Sequence, residues 1–466
     1  MSSLPRVRHS SVRCSAIMPE TNPPHGPAQD AGYERRLGTF DATMVVVGAI
    51  IGAGIFLNPA IVAQRVGTPG MILLAWALGG AIALLGAFCF AELGSRIPKA
   101  GGGYVYLRDA YGPLPGFLYG WTQLLVINTG GIAAVAITFA SYTVDAAGAG
   151  DVWIKPLAVG AIVLLSGVNA AGVRFGVWIQ NVFTILKLAA LALLVAAGVW
   201  LWVRGQGGGS AAGTIAPTDG SSVLTMGTAL VPVLFAYGGW QFANNIAEEI
   251  TEPEKRIPRA LIVGVTIVVV VYVLANLAYV LALGPAGLAA STAPAAEALR
   301  IAAGNLGGLA IAIGVAFSTF GILNIFILAA PRIYQAMAAD GLFFESVARL
   351  NPRTRTPNVG IWIQAVWAVI LTLSGTFAQL LDWVVFGDWI FFGLIVTTVF
   401  VFRKRNSSPA PFAAPAYPFL PGLFVAAAGF VVFSSIVSNP RNAVYGTLLI
   451  LAGVPAFLFW RSRRAR

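Results

Sequence analysis

Apolar stretches of about 20 residues recur along nearly the whole of this chain, from about residue 41 to residue 460. Each is long enough to cross a hydrocarbon core of about 30 Å as a helix. Inside such a core no water is available to backbone N–H and C=O groups, so each helix must satisfy its own. Composition agrees with this solvent. The chain is 58% hydrophobic and only 10% charged, whereas about a quarter of a soluble protein's residues are charged. The expected fold class is an all-α polytopic membrane protein.

Twelve transmembrane helices are predicted, at roughly 41–62, 70–94, 113–143, 153–170, 177–203, 224–247, 258–283, 305–335, 358–375, 377–402, 418–438 and 442–460. The third and eighth are long enough to tilt or to run on into a loop. The ninth and tenth nearly abut at Gly375-Thr376.

Lys and Arg set the orientation. With an even number of spans both tails share a side, and 23 of the 29 basic residues fall on that side. Only Arg65, Lys155, Arg204, Arg300 and Arg441 fall on the other, and Lys187 lies within the fifth span. Both termini are therefore expected to be cytoplasmic. The net charge of +11 follows from this bias, with anionic lipid headgroups rather than nucleic acid as its partner. The first 35 residues have no apolar core of the kind a secretory signal needs, and read as a disordered cytoplasmic tail.

Catalysis has little to stand on. His9 and His25, the only histidines, lie in that tail with Cys14, and Cys89 lies in the second span. No cluster with metal-ligand spacing exists, and no disulfide, metal, cofactor or enzyme activity is expected.

Glycines interrupt two of the spans. Residues 45–60, "VVVGAIIGAGIFLNPA", place Gly48, Gly52 and Gly54 in a Val/Ile run and close with Asn58-Pro59. A small-residue pair alone reads as close helix packing. The sixth span, "VPVLFAYGGWQFANNIAEEI" at 231–250, has Pro232 near its start and Gly238-Gly239 in its middle. Matched interruptions five spans apart point to a binding site at the bilayer midplane between two inverted repeats.

"GAIIGAGIF" with "FAYGGW" resembles the amino acid/polyamine/organocation transporter superfamily, most closely its L-type neutral amino acid branch. "AELGSRIPKAGGGYVYLRDAYG", "QNVFTILKLAAL", "EEITEPEKRIPRAL", "PRIYQAMAADGLFF" and "LLDWVVFGDWIFFGL" follow in family order, and the similarity runs from about 36 to 405. The resemblance implies a 5+5 inverted-repeat (LeuT-like) core with discontinuous helices 1 and 6, plus two C-terminal helices. The expected divisions are then a tail at 1–35, repeats at 36–203 and 224–402, and the last two helices with a basic end at 403–466.

A zwitterion suits such breaks. Where the first helix restarts, beyond Gly52, the N–H groups of Ala53, Gly54 and Ile55 offer a positive dipole end to a carboxylate. By resemblance, the carbonyls of Ile50, Phe235, Ala236 and Gly238 receive the ammonium. Ala53 departs from the commoner Gly-Ser-Gly pattern and lacks the hydroxyl. Phe235 is by resemblance an aromatic gate, with ordinary helix packing as its other reading, and Trp240 and Gln241 are candidates for the side-chain pocket. The nearest carboxylates, Asp41 and Glu248-Glu249, lie away from the breaks, which favours a neutral substrate over a cationic one.

Lys187 lies in "VFTILKLAALALLV", and a charge at that depth should face a partner or a cavity. It resembles the substitute for a sodium ion in sodium-independent members, which implies contact with carbonyls after the first break and with Ser318 or Thr319. Snorkelling is its other reading, and whether it is a fixed charge or carries a coupling proton stays open. Asp388 is a second mid-span charge, Glu92 and Arg96 are spaced to pair, and Arg332 reads as an inner-gate or positive-inside residue.

Eukaryotic L-type members are disulfide-linked to a single-span glycoprotein through a cysteine between the third and fourth spans. Here that loop, "DAAGAGDVWIK", has none. The expectation is a stand-alone carrier of neutral L-amino acids in a bacterial inner membrane, with self-association open. Amino acid exchange and proton-coupled uptake are both open. A cationic amino acid or polyamine carrier and a non-transporting sensor are the alternatives.

Overall fold

The computed structural model describes residues 32–206, 222–374, 377–405, 409–438 and 440–464. The tail with His9, Cys14 and His25, and the Gly375-Thr376 junction, lie outside them. Among the described residues the chain is helical, with a single isolated β-bridge between Leu37 and Ile250.

The first apolar run is two helices, α1 (Thr39–Ile50) and α2 (Gly54–Val66), bent by 43°. Helix α3 (Pro69–Arg96) follows. It starts where the Thr68 hydroxyl accepts the Met71 N–H and Pro69 fills a position that needs no donor. A short α4 (Gly103–Tyr111) precedes α5 (Pro113–Thr122), a π-helical turn at Gln123–Ile127, and α6 (Asn128–Ala146). Next come α7 (Ile154–Ala170), α8 (Val173–Val203), α9 (Ser222–Ala236) and the short α10 (Phe242–Asn245). Helix α11 (Pro253–Ala290) kinks at Gly284, and α12 (Pro294–Ala329) kinks at Ala303-Gly304 and runs almost directly into α13 (Pro331–Ala339). The chain ends with α14 (Glu345–Ala348), α15 (Asn358–Ser374), α16 (Phe377–Arg405), α17 (Phe419–Ser438), α18 (Pro440–Leu451) and α19 (Gly453–Arg464).

Among the described residues, nine helical runs are long and apolar enough to cross a membrane, or ten with the bent α1–α2 pair, and α9 and α15 add two shorter apolar helices. This is an integral membrane protein. The long third span conceals the π-turn, and the eighth begins at Pro294, earlier than the sequence predicts, because the kink at Gly304 leaves a helical lead-in.

Helix α8 shows how such a chain is sorted. It exposes Phe175, Trp178, Ile185 and Leu193, and buries Gln180, Thr184 and Lys187. That is an amphipathic helix turned inside out, apolar towards lipid and polar towards protein. It packs against α1, α11 and α12, while α11 lies along α3 and α1. A smaller apolar cluster joins α6, α7, α12 and α15 beside the main core.

Candidate functional site

Helix α1 ends because Ile51 leaves the helical region at φ −71° and ψ 102°. The Ile51 N–H still donates to Val47 O at 3.0 Å, and the first main-chain bonds of the new helix run from Phe56 and Leu57 N–H to Ala53 O at 3.0 and 3.1 Å. The first N–H groups of any helix lack intrahelical acceptors. Here those belong to Gly54 and Ile55, next to Ala53, which is only half-buried.

The second interruption runs over Tyr237–Gln241, between α9 and α10. Gly239 sits at φ +126°, and a Cβ there would lie 2.6 Å from Ala49 O, so both conformation and space demand glycine. Its N–H donates to Gln241 Oε1 at 3.1 Å, and the Tyr237 hydroxyl donates to Trp76 O at 3.1 Å.

The two breaks face each other. A Cβ on Gly54 would lie 2.8 Å from Ala236 Cβ, so the helix restart is pressed against the end of α9. Asn58 Nδ2 donates to Pro232 O at 2.7 Å across the same junction. Tyr272 of α11, which sequence reasoning passes over, clasps both breaks. Its hydroxyl lies 2.9 Å from Ile50 O and 3.2 Å from Ala236 O. In this conformation those two carbonyls are shared by one phenol, and Phe235 O receives the Gly238 N–H at 3.1 Å. Phe235 and Gly238 are half-buried. Trp240 is fully buried among Phe90, Phe392 and Phe424, with ring centroids 5.4 to 6.4 Å away.

Lys187 is fully buried, and its ammonium donates to Gly48 O and Ile51 O, both at 2.8 Å. These carbonyls lie before and at the break, not after it as the sequence suggested. The geometry has a simple cause, since the negative end of α1's dipole and its unpaired carbonyls collect there. The Ser318 hydroxyl joins them, donating to Ile51 O at 3.3 Å. Thr319 takes no part in that cluster, its hydroxyl bonding Val315 O and Ala316 O of its own helix.

At one end of the bundle Arg332 Nε donates to Glu249 Oε1 at 2.7 Å, with both side chains almost fully buried. Arg36 and Leu37 N–H both donate to Glu249 O at 2.9 Å, and Thr251 N–H donates to Leu37 O at 3.0 Å. Glu92 pairs with Arg96 at 3.3 Å, and also with Arg403 at 2.5 Å, which no local spacing could reveal. Asp388 is half-buried, with Gln123 Nε2 3.5 Å away. Among the described residues no group of three or more His, Cys, Asp or Glu is placed to hold a metal.

The sequence profile of the family described as amino acid permease matches residues 37–459. The chain is 32% identical to the serine/threonine exchanger SteT of Bacillus subtilis (strain 168) over 442 residues, covering 94% of this chain and 99% of that protein. It is 32% identical to the human cystine/glutamate transporter over 435 residues, covering 92% and 86%. It is also 32% identical to the large neutral amino acids transporter small subunit 2 of Rattus norvegicus over 446 residues, covering 92% and 82%.

Proposed function

Since the chain belongs to the amino acid permease family, we propose that it is a sodium-independent secondary transporter of neutral L-amino acids working by alternating access. Two facing helix breaks carry this reading. Their main-chain groups would grip the charged ends of a zwitterion, the carboxylate at the N–H groups of Ala53, Gly54 and Ile55 and the ammonium at carbonyls around Ile50 and Ala236. Because Tyr272 holds those carbonyls in this conformation, substrate entry would displace or share its hydroxyl. Phe235, beside the second break, would close over the bound molecule, and Trp240 and Gln241 would border its side chain.

Lys187 supports sodium independence. Its ammonium already neutralises the carbonyl cluster of Gly48 and Ile51, where a free cation would otherwise be wanted. The neutral preference rests on engagement of the carboxylates elsewhere, Glu249 by Arg332 and Asp41 by Asn181 and the Gly38 N–H.

The proposed arrangement is twelve spans as two five-helix inverted repeats, 36–203 and 224–402, followed by two helices, with both termini in the cytoplasm of a bacterial cell. The protein would act without a disulfide-linked subunit.

Reconstitution into liposomes tests the reading. Uptake of a neutral amino acid only into vesicles preloaded with amino acid identifies exchange, and uptake driven by an imposed pH gradient identifies proton coupling. Binding without flux leaves a sensor, and a sodium requirement removes the role given to Lys187. Gly54→Leu should abolish binding by forcing the two breaks apart, since even its Cβ would meet Ala236 Cβ at 2.8 Å, and a melting transition retained in detergent would show that the damage stays local.

A further inference from the structure

A groove of about 690 Å³ opens on the side of the molecule where α15 meets α5 and the π-turn. Trp121, Leu125, Trp362, Val366 and Trp367 wall it, and Phe343 lies at one end. Trp362 and Val366 are 42% and 59% exposed. Within a bilayer such a surface is covered by hydrocarbon, as is every outer face of the bundle.

This groove differs from those faces in what lies at its Phe343 end. Phe343 and Phe344 pack on Trp460, at ring-centroid distances of 5.9 and 4.8 Å, which brings the end of α19 with exposed Arg461 and Arg463 to the same place. The segment that leads into Asn358, itself a groove residue, carries Arg349, Arg353 and Arg355. The nearby carboxylates are engaged, Glu345 by Arg349 and Asp340 by Arg108, both at 2.6 Å. Arg353 is exposed, and Arg355 Nη1 is buried without a hydrogen-bond partner. Beside the apolar slot thus lie two arginine-bearing segments, 349–355 and 461–463, in which Arg349 is paired with Glu345 and Arg463 lies over the Phe459 ring, while Arg353 and Arg461 are exposed.

We propose that this groove is a binding site for one anionic phospholipid. An acyl chain lies along Trp362, Trp367 and Trp121, the Asn358 amide marks the boundary of tail and head, and the phosphate meets Arg353 and Arg461. Arginine suits that phosphate because its planar fork can donate two hydrogen bonds at once. The site also touches a soft part of the fold. Trp367 Nε1 donates to Leu125 O at 3.0 Å, inside the π-turn, so lipid in the groove buttresses the turn that carries Gln123.

Native mass spectrometry of the purified full chain with added phosphatidylglycerol or phosphatidylcholine of matched chains tests this. The expected result is one retained phosphatidylglycerol, no retained phosphatidylcholine, and no displacement by glycerol phosphate. Replacing both Arg353 and Arg461 by Ala, at exposed positions, should weaken retention about tenfold or more, and Val366→Trp should remove it by filling the slot. Equal retention of the two lipids, or retention unchanged in the double variant, overturns the site. The assay does not involve flux, so its failure leaves the transport reading intact.

Discussion

The two helix breaks pose one physical problem and solve it in different ways. At the first, three residues separate α1 from α2, and the carbonyls left at the end of α1 are met by a charge. Lys187 binds Gly48 O and Ile51 O, with Ser318 as a lesser partner. At the second, five residues separate α9 from α10 and, among the described residues, no charged group takes part. The break is closed by its own residues, with Gly239 in a left-handed conformation and Gln241 capping its N–H, and Tyr237 is anchored on Trp76. One break is held by electrostatics supplied from a neighbouring helix. The other is held by local shape. In a medium without water either serves, because the requirement is only that each freed group find a partner.

Substitutions at each break should therefore fail for different reasons. The largest effect is expected from Gly239→Ala, where the added methyl meets Ala49 O at 2.6 Å on a backbone already at φ +126°. Strain of about 1–3 kcal/mol plus the clash should lower the melting temperature in detergent by several degrees and abolish substrate binding. A normal melting curve would show that the second break is not held by shape. Lys187→Met comes next. It leaves Gly48 O buried without a partner, at a cost of about 1–3 kcal/mol, and uptake should fall about 100-fold or more with sodium unable to restore it. Rescue by sodium would mean that the ammonium merely displaces a native ion site.

Tyr272→Phe removes the hydroxyl that joins the two breaks while keeping the ring. A net loss of about 1 kcal/mol should appear as a several-fold change in apparent substrate affinity, with the fold intact. No change would mean that packing and the Asn58–Pro232 bond suffice to couple the breaks. The smallest effect is expected from Ser318→Ala, since its 3.3 Å bond supplements an acceptor that Lys187 already serves. Uptake within about threefold of the parent would agree, and a loss equal to that of Lys187→Met would make the pair an indivisible unit.

The breaks were legible because glycine and proline punctuate an apolar run, and Lys187 because a charge in such a run has few explanations. The identity of its acceptors was not, since that depends on how α8 is rotated against α1. Tyr272 was hidden for a similar reason. In "VVVVYVLANLAYVLAL" a tyrosine looks like another bulky packing residue. Glu92 could be matched to Arg96 by helical spacing, whereas its tie to Arg403 joins residues 311 apart in the chain. The π-turn at Gln123–Ile127 left no mark, because one extra residue in a helical turn changes no composition and little periodicity.

The few residues ahead of α1 are more than a lead-in. Arg36 and Leu37 are stitched by main-chain bonds to Glu249 and Thr251, directly over the buried Glu249–Arg332 pair. In the proposed transport cycle, an outward swing of the first half-helix at that end would have to unfasten the whole stitch at once and expose an acid and a base that have each other as counter-ions. Under that reading the stretch before the first span would serve as a clasp, and a chain shortened to begin after Leu37 would lose its catch.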